Sequence, residues 1–352
     1  MALAPQKPLR QIGQWPRGEL VTLTHRSGVL ASNPWGDPAE REVKAWLPPG
    51  CRDSDQWPVL WYLAAYTNSG AGSDNWNGFK ENLPQRLDRL FAQGKLPPVV
   101  VVFPDGFTSL GGNQYLDSPG VGLYSSYIHD ELIGLVEQQL PVRSGPEFRG
   151  VLGKSSGGYA ALVYGMRKTE HWAAIASHAG DCGFDWVYKP DFPIAAQALT
   201  RYGGDIERYL RWFWQAKKPG GADFMALMMC GLAATYDGDA ANPGHIVLPF
   251  DQETLELDST RWDRWLSHDP LLMAARHGHQ LNRLKAVFID CGTRDQYRIQ
   301  YGTRRLIRSL RDQGVELTYE EFDGTHSGID YRLDQSLPFL AKALSTEDKL
   351  QS

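Results

Sequence analysis

The sequence predicts an α/β protein in which helices cover both faces of one open, mostly parallel central sheet. Three observations support this class: apolar segments rich in Val, Ile, Leu and aromatic residues recur, segments of helical periodicity separate most of them, and 352 residues suit one large domain with an insertion. The segments interpreted as strands are 20–24, 42–47, 59–64, 99–103, 150–153, 173–177, 286–290 and 316–322.

The order of these segments predicts an antiparallel start followed by βα alternation. The first two segments alternate apolar and polar residues, as half-exposed edge strands do. VLWYLA, VVVVF and AVFID are almost continuously apolar, which is typical of strands covered on both faces in a parallel sheet. The helices are predicted at 82–93, 124–139, 158–167, 301–313 and 331–343.

The interval 181–284 interrupts this alternation, because about a hundred residues stand where one helix and two short loops would suffice. We therefore expect a core formed by 1–180 and 285–352 and an inserted, largely helical cap at 181–284. The cap holds five of the twelve tryptophans. Two interpretations stay open: its aromatic residues pack against one another, or some of them also line an apolar substrate pocket.

Composition excludes several classes of protein. Hydrophobic residues make up 42% and charged residues 22%, and no stretch approaches the ~18 apolar residues of a membrane span. A net charge of −5 without a dense Lys/Arg cluster argues against nucleic acid as a partner. The first residues lack the apolar core of a signal peptide, so we expect a cytoplasmic protein, and a homo-oligomer stays open. The four cysteines lie far apart, and no metal-ligand spacing or nucleotide loop occurs, so we expect neither a metal nor a cofactor.

The strongest local motif is GKSSG at 153–157, which satisfies G-x-S-x-G around Ser155. A frame centred on Ser156 would need glycine at the position of Lys154. The chain passes from a predicted strand into a predicted helix here, and such a sharp turn needs small residues two before and two after its centre. The motif therefore predicts Ser155 as a nucleophile, although the same letters also occur in ordinary Gly-rich turns.

A serine nucleophile needs a histidine base. His326 lies in the loop DGTHSG, after a predicted strand and before the last helix, at the carboxyl edge where α/β sheets bind ligands. His178, in SHAG at the end of another strand, is the rival base.

The carboxylate that orients the histidine is predicted to be Asp295, in the loop CGTRD after the strand 286–290. Asp290 is expected to be structural, and Asp269 is kept as a lower alternative. The order Ser155, Asp295, His326 is the one expected of an α/β-hydrolase.

These motifs resemble the putative esterase family of α/β-hydrolases, which includes esterase D, feruloyl esterases and enterochelin esterases. The resemblance runs from about Pro58 to the C-terminus, although the family's usual Gly-containing turn after the third strand is replaced by Ala64-Ala65-Tyr66. It is carried by PVLWYLAAY, FPDGFTSLGGNQYLDSPGVGLYSSYIHDEL, GKSSGGYAAL, ASHAGD, FIDCGTRDQY and EEFDGTHSGIDYR. It implies an α/β-hydrolase fold, and it places His178 and Asp181 at the pocket wall.

The fold's geometry also predicts an oxyanion hole formed by the backbone N–H groups of Ser156 and Tyr66, with Thr67 as second choice for the latter. His178, Asp181 and Trp186 are expected to contact substrate, although capping within the loop is an equal alternative for the first two.

The sequence thus predicts a serine hydrolase that cleaves a small-molecule carboxylic ester through an acyl-enzyme. An acyltransferase with the same triad is the main alternative, and a non-catalytic binding protein on the same scaffold is the other.

Overall fold

The computed structural model describes residues 15–52 and 56–345 and contains an eight-stranded sheet. The strands are β1 (Glu19–Arg26), β2 (Glu40–Leu47), β3 (Val59–Leu63), β4 (Val100–Pro104), β5 (Arg149–Lys154), β6 (Ala174–His178), β7 (Ala286–Gly292) and β8 (Thr318–Phe322). Their order across the sheet is β1-β2-β4-β3-β5-β6-β7-β8. The eight predicted strands are confirmed.

The sheet is antiparallel only at its first edge. Strand β1 pairs antiparallel with β2, and β2 pairs antiparallel with β4. All other neighbours are parallel, from the pair of β3 and β4 to the pair of β7 and β8. The carboxyl ends of β5, β6 and β7 therefore meet at one edge, where an open α/β sheet binds its ligands.

Helices cover both faces of the sheet, as predicted. They are α1 (Leu83–Ala92), α2 (Tyr124–Ser126), α3 (Ile133–Gln139), α4 (Ser156–Arg167), α5 (Phe184–Val187), α6 (Phe192–Thr200), α7 (Ile206–Gln215), α8 (Gly221–Tyr236), α9 (Ser259–Leu266), α10 (Pro270–His277), α11 (Ile299–Asp312) and α12 (Leu333–Ser345). A π-helical segment, Tyr127–Leu132, joins α2 to α3. Within the described ranges, no helix combines the length and apolar character needed to cross a bilayer.

Two hydrophobic cores lie on opposite faces of the sheet, because successive side chains of a strand point to opposite sides. In β3, Trp61 belongs to the core that α4 and the inserted helices cover. Its neighbours Leu60 and Tyr62 belong to the core that α1 and α12 cover. The two cores explain why the central strands are apolar at almost every position.

The interval 181–284 contains α5 to α10 and is largely helical. Its aromatic residues form a packed cluster in which Trp262 and Trp265 lie 5.7 Å apart, and Trp265 lies 5.9 Å from Tyr188, ring centroid to ring centroid. Helix α10 packs against α4 and α11, which lie outside this interval. The division into core and cap stays a prediction.

Candidate active site

Ser155 occupies the turn between β5 and α4, with φ 54° and ψ −120°. A non-glycine residue in this region is strained, and such strain persists only where the surroundings enforce it. Here the Ser155 N–H donates to the carbonyl of His178 over 2.9 Å, and the Ser155 carbonyl accepts from the N–H of Tyr159 over 2.7 Å. The turn is thus held between the end of β6 and the first turn of α4.

The two glycines of the motif are required by packing against β3. A Cβ atom at Gly153 would lie 2.6 Å from the carbonyl oxygen of Leu63, and a Cβ at Gly157 would collide with the same oxygen. Any side chain at either position would push the turn away from the sheet. The structure therefore gives a steric reason for G-x-S-x-G around Ser155.

His326 and Asp295 come together as the sequence predicts. The Nδ1 atom of His326 lies 2.8 Å from Oδ2 of Asp295, and both residues are buried. The other carboxylate oxygen, Oδ1, accepts from the N–H of Tyr297 over 2.8 Å. A carboxylate held in this way orients an imidazole so that its Nε2 atom can act as a base.

The loop around Asp295 supplies two supporting residues that sequence reasoning missed. The side-chain oxygen of Gln296 accepts from the backbone N–H of His326 over 2.9 Å. The ring of Tyr297 stands edge-on to the imidazole, with centroids 4.9 Å apart. Their positions directly after Asp295 could have suggested such roles, because a short loop after a strand brings adjacent residues to the same site.

A cavity of about 390 Å³ opens above the turn. The nucleophile candidate Ser155 and the base candidate His326 both line it. The other lining residues are Ala65, Tyr66, Thr67, Lys154, Ser156, Asp181, Val187, Tyr188, Gly221, Phe224, Met225, Met228, Tyr297 and Ser327. The cavity is large enough for a small-molecule substrate.

Both predicted oxyanion donors border this cavity. Ser156 is the first residue of α4, where backbone N–H groups have no partner within the helix. Tyr66 is fixed by two hydrogen bonds: its hydroxyl donates to the carbonyl of Leu110 over 2.6 Å, and its own carbonyl accepts from the N–H of Gly112 over 2.7 Å. Among the described residues, none accepts a hydrogen bond from the Tyr66 N–H.

Asp181 also lines the cavity, although only 7% of its surface is exposed. Its Oδ2 atom accepts from the hydroxyl of Tyr188 over 2.8 Å and from the amide of Gln114 over 3.2 Å. Burial raises the pKa of this carboxyl group above its usual value.

Lys154, next to the nucleophile candidate, borders the cavity as well. Burial lowers the pKa of its ammonium, and the carboxylate of Asp330 acts in the opposite direction. Asp330 itself binds Lys80 over 2.9 Å.

The expectation that His178 contacts substrate is not met. Its Nδ1 atom lies 2.8 Å from Oδ1 of Asp290 and its Nε2 atom 2.7 Å from Oγ of Ser336, so both ring nitrogens are engaged. Only 1% of the residue is exposed, and it does not border the cavity. The reason is the alternation along β6, which directs this side chain to the face covered by α12. The same placement removes His178 as the rival base.

The expectation that Trp186 lines the pocket is also wrong. Helix α5 buries Phe184 and Val187, so Trp186 faces the other way and stacks beneath Arg305 of α11, whose guanidinium carbon lies 5.0 Å from the ring centroid. The aromatic residues of the inserted interval that do line the cavity are Tyr188 and Phe224.

Asp269, the alternative acid, has a structural role. Its carboxylate accepts from the N–H groups of Gly183, Phe184 and Leu271, and it caps the N-terminus of α10. It therefore ties the start of the inserted interval to its end and stays apart from His326.

Comparisons with known proteins agree with this architecture. The sequence model of a family described as "Putative esterase" matches residues 38–336. A solved ferulic acid esterase superimposes with a TM-score of 0.59 at 18% identity, covering 93% of this chain and 99% of that one. An S-formylglutathione hydrolase from Agrobacterium tumefaciens gives 0.56 at 18%, covering 94% and 96%. FphF, a fluorophosphonate-binding serine hydrolase of Staphylococcus aureus, gives 0.55 at 13%, covering 92% and 99%. At these identities the structures establish the α/β-hydrolase fold.

Proposed function

We propose that this chain, which belongs to the putative esterase family and is a carboxylic ester hydrolase, cleaves esters with a Ser-His-Asp triad. Ser155 is the nucleophile, His326 the general base and Asp295 the residue that orients it. The observation that carries the proposal is the 2.8 Å bond between Asp295 and His326, in a cavity that also exposes the strained Ser155.

In the first half of the reaction, the Ser155 oxygen attacks the ester carbonyl while Nε2 of His326 takes its proton. The carbonyl π electrons move to the carbonyl oxygen, and the N–H groups of Ser156 and Tyr66 donate to the oxyanion that forms. Asp295 keeps Nδ1 of His326 protonated and stabilises the imidazolium. The C–O bond to the alcohol then breaks, and His326 returns the proton to the leaving oxygen.

In the second half, water repeats the sequence on the acyl-enzyme. His326 takes a proton from the water as it attacks, and the Ser155 oxygen leaves as the free hydroxyl with that proton. The products are a carboxylic acid and the enzyme in its starting state. His326 carries every proton that this scheme transfers, so the chain's own residues suffice for the proton transfers.

The inserted interval 181–284 acts in this proposal as a cap that contributes the apolar wall of the substrate pocket. Val187, Tyr188, Phe224, Met225 and Met228 supply that wall. The hydrocarbon part of an ester is more stable against these apolar side chains than in water, because burial of apolar surface is favourable. The substrate is therefore a small-molecule ester whose acyl group packs against this wall.

Labelling with a fluorophosphonate tests the proposal, because such reagents capture a serine that a base activates. We expect the reagent to modify Ser155, located by mass spectrometry of the digested protein, and to abolish ester hydrolysis. Ser155→Ala should prevent labelling, whereas Ser156→Ala should keep it, since only the backbone of residue 156 takes part. Labelling at Ser156 or at no serine would contradict the proposal.

A further inference from the structure

The cavity contains a carboxylate that the proposed chemistry does not use. Asp181 borders the same space as Ser155 and His326, and it is more than nine-tenths buried. Its two hydrogen bonds, from Tyr188 and Gln114, both end on Oδ2. Among the described residues, none donates to Oδ1, so one oxygen of this carboxylate retains its full capacity to accept.

The burial of Asp181 needs a compensating interaction. Taking a carboxylate out of water is costly unless donors replace its hydration, and here both donors are neutral groups. Burial accordingly raises the pKa of Asp181. A buried acid in a cleft, held by hydrogen bonds from a tyrosine and an amide, is typical of a ligand-binding or catalytic site.

The surroundings of Asp181 indicate which part of an ester it meets. Tyr188, which holds Oδ2, belongs to the apolar wall together with Phe224 and Met228. The charges that act on Lys154 come from Asp330, Lys80 and Asp295, none of which belongs to this wall. The leaving alcohol must receive a proton and return to water, so the polar side of the cavity suits the alcohol. The wall that contains Asp181 suits the acyl group, which remains on Ser155.

The substrate group that donates a hydrogen bond to Oδ1 of Asp181 is most favourably neutral. An ammonium group would lose its own hydration among aromatic and methionine side chains, in a cavity that already contains the cationic Lys154. A hydroxyl loses less hydration and still forms a charge-assisted hydrogen bond with the carboxylate.

We propose that Asp181 is a specificity-determining residue that accepts a hydrogen bond, through Oδ1, from a hydroxyl group on the acyl part of the substrate. The preferred substrates are therefore esters of hydroxy acids. This inference rests on the proposed esterase function and adds the class of acyl group to it.

Matched ester pairs test the inference on the wild-type protein. One series consists of 4-nitrophenyl esters of ω-hydroxy acids of about six to ten carbons, and the other carries a methyl group in place of the hydroxyl. We expect one or more chain lengths at which the hydroxy ester has a kcat/KM about tenfold higher than its methyl partner, or more. Equal values at every length, or a preference for an ω-ammonio ester over the hydroxy ester, would overturn the inference.

Asp181→Asn then identifies the residue responsible. We expect the preference for the hydroxy ester to fall about tenfold, while kcat/KM for the methyl ester changes less than about threefold. Asp185→Asn is the matched control. Asp185 is an exposed carboxylate four residues further along the chain, and it does not line the cavity. A thermal melt confirms that the variant is folded. An equal loss on both esters would show that Asp181 supports the fold or the triad and would overturn the inference.

Failure of this inference is distinguishable from failure of the proposed function. If the wild-type protein cleaves both ester series and is labelled at Ser155 but shows no preference, only the role of Asp181 is wrong. If it cleaves neither series and resists the fluorophosphonate, the esterase mechanism itself is wrong.

Discussion

Within residues 15–52 and 56–345, two Asp–His pairs have the same length, and a serine accompanies each of them. In the cavity, Asp295 and His326 approach to 2.8 Å beside Ser155. On the other face of the sheet, Asp290 and His178 also approach to 2.8 Å, and the second ring nitrogen of His178 lies 2.7 Å from Oγ of Ser336. By hydrogen bonding alone, the second set is the more complete one.

The surroundings of the two sets differ. Asp290 and Ser336 have no exposed surface, and the guanidinium of Arg332 donates to Asp290 over 2.8 Å. Ser336 lies inside α12, where the backbone N–H groups are used by the helix. Ser155 instead stands at a strained turn and lines an open cavity, beside the N–H groups of Ser156 and Tyr66, for which the described part of the chain offers no acceptor. Access to a cavity and nearby oxyanion donors, more than a chain of Ser, His and Asp, are therefore the reasons for proposing the set with Ser155 as the catalytic one.

The buried set also supports the turn that carries Ser155. The carbonyl of His178 accepts the N–H of Ser155, and the N–H of Ala179 donates to the carbonyl of Asp290 over 2.8 Å. The buried set thus fixes the ends of β6 and β7. The turn of Ser155 is bonded to the end of β6, and the loop of Asp295 follows β7.

The largest expected effect separates the two serines. Ser155→Ala should lower kcat/KM for a 4-nitrophenyl ester by about 10⁴-fold to 10⁶-fold, because the nucleophile is removed. Ser336→Ala, the matched control, should change it less than about threefold in folded protein, because the buried hydroxyl never meets substrate. An inactive Ser336→Ala variant beside an active Ser155→Ala variant would reverse the comparison.

The next effect concerns the acid of the cavity set. Asp295→Asn should lower kcat by about 10³-fold to 10⁴-fold, since an amide no longer holds the imidazole in the productive tautomer. Asp269→Asn keeps the acceptor that caps α10 but replaces the oxygen that accepts from Phe184 by an NH2 group, so it should lower the melting temperature and retain most activity. Steady-state kinetics of both variants measure these effects, and melting temperatures check that the variants are folded. An inactive Asp269→Asn variant beside an active Asp295→Asn variant would show that the assignment is wrong.

A smaller effect is expected on stability, and here the buried set dominates. His178→Leu should lower the free energy of unfolding by about 3 kcal/mol, because it removes the partner of Oδ1 of Asp290 and of the Ser336 hydroxyl, both of which are buried, and leaves Arg332 as the remaining side-chain partner of Asp290. Ser155→Ala should shift it by less than about 0.5 kcal/mol, since its hydroxyl borders a cavity. Urea unfolding measures both. A His178→Leu variant of unchanged stability but with no activity would place His178, and not His326, in the chemistry.

The smallest effect is a pH dependence at Asp181, a buried carboxylate with neutral donors only. Burial raises its pKa in the folded protein, so its contribution to stability is fully present below the unfolded value of about 3.9 and is lost as pH rises through the folded pKa. Asp181→Asn does not titrate, and its unfolding free energy relative to wild type should therefore rise as pH increases from about 4 through the folded pKa of Asp181. Urea unfolding at several pH values measures the difference, and a difference that falls over this range would contradict the raised pKa.

The amino-acid sequence specifies the strands and the helices outside 181–284, and it suggests the three residues of the proposed triad. The reason is that these features are local: period and apolar runs specify each strand, and Gly153 and Gly157 are needed wherever such a turn packs against a neighbouring strand. Loops after parallel strands reach the same edge of the sheet in any such fold, so the sequence alone could place Asp295 and His326 near each other.

Only the tertiary structure decides which face or neighbour a side chain meets. His178 ends a strand at the correct edge, yet it lies on the face of the sheet opposite the cavity, and one residue of register separates the two outcomes. Trp186 stacks with Arg305 while Tyr188, two residues later, lines the cavity, because the packing of a single helical turn sets their directions. Such choices depend on contacts between segments far apart in the chain, which local propensity and spacing do not encode.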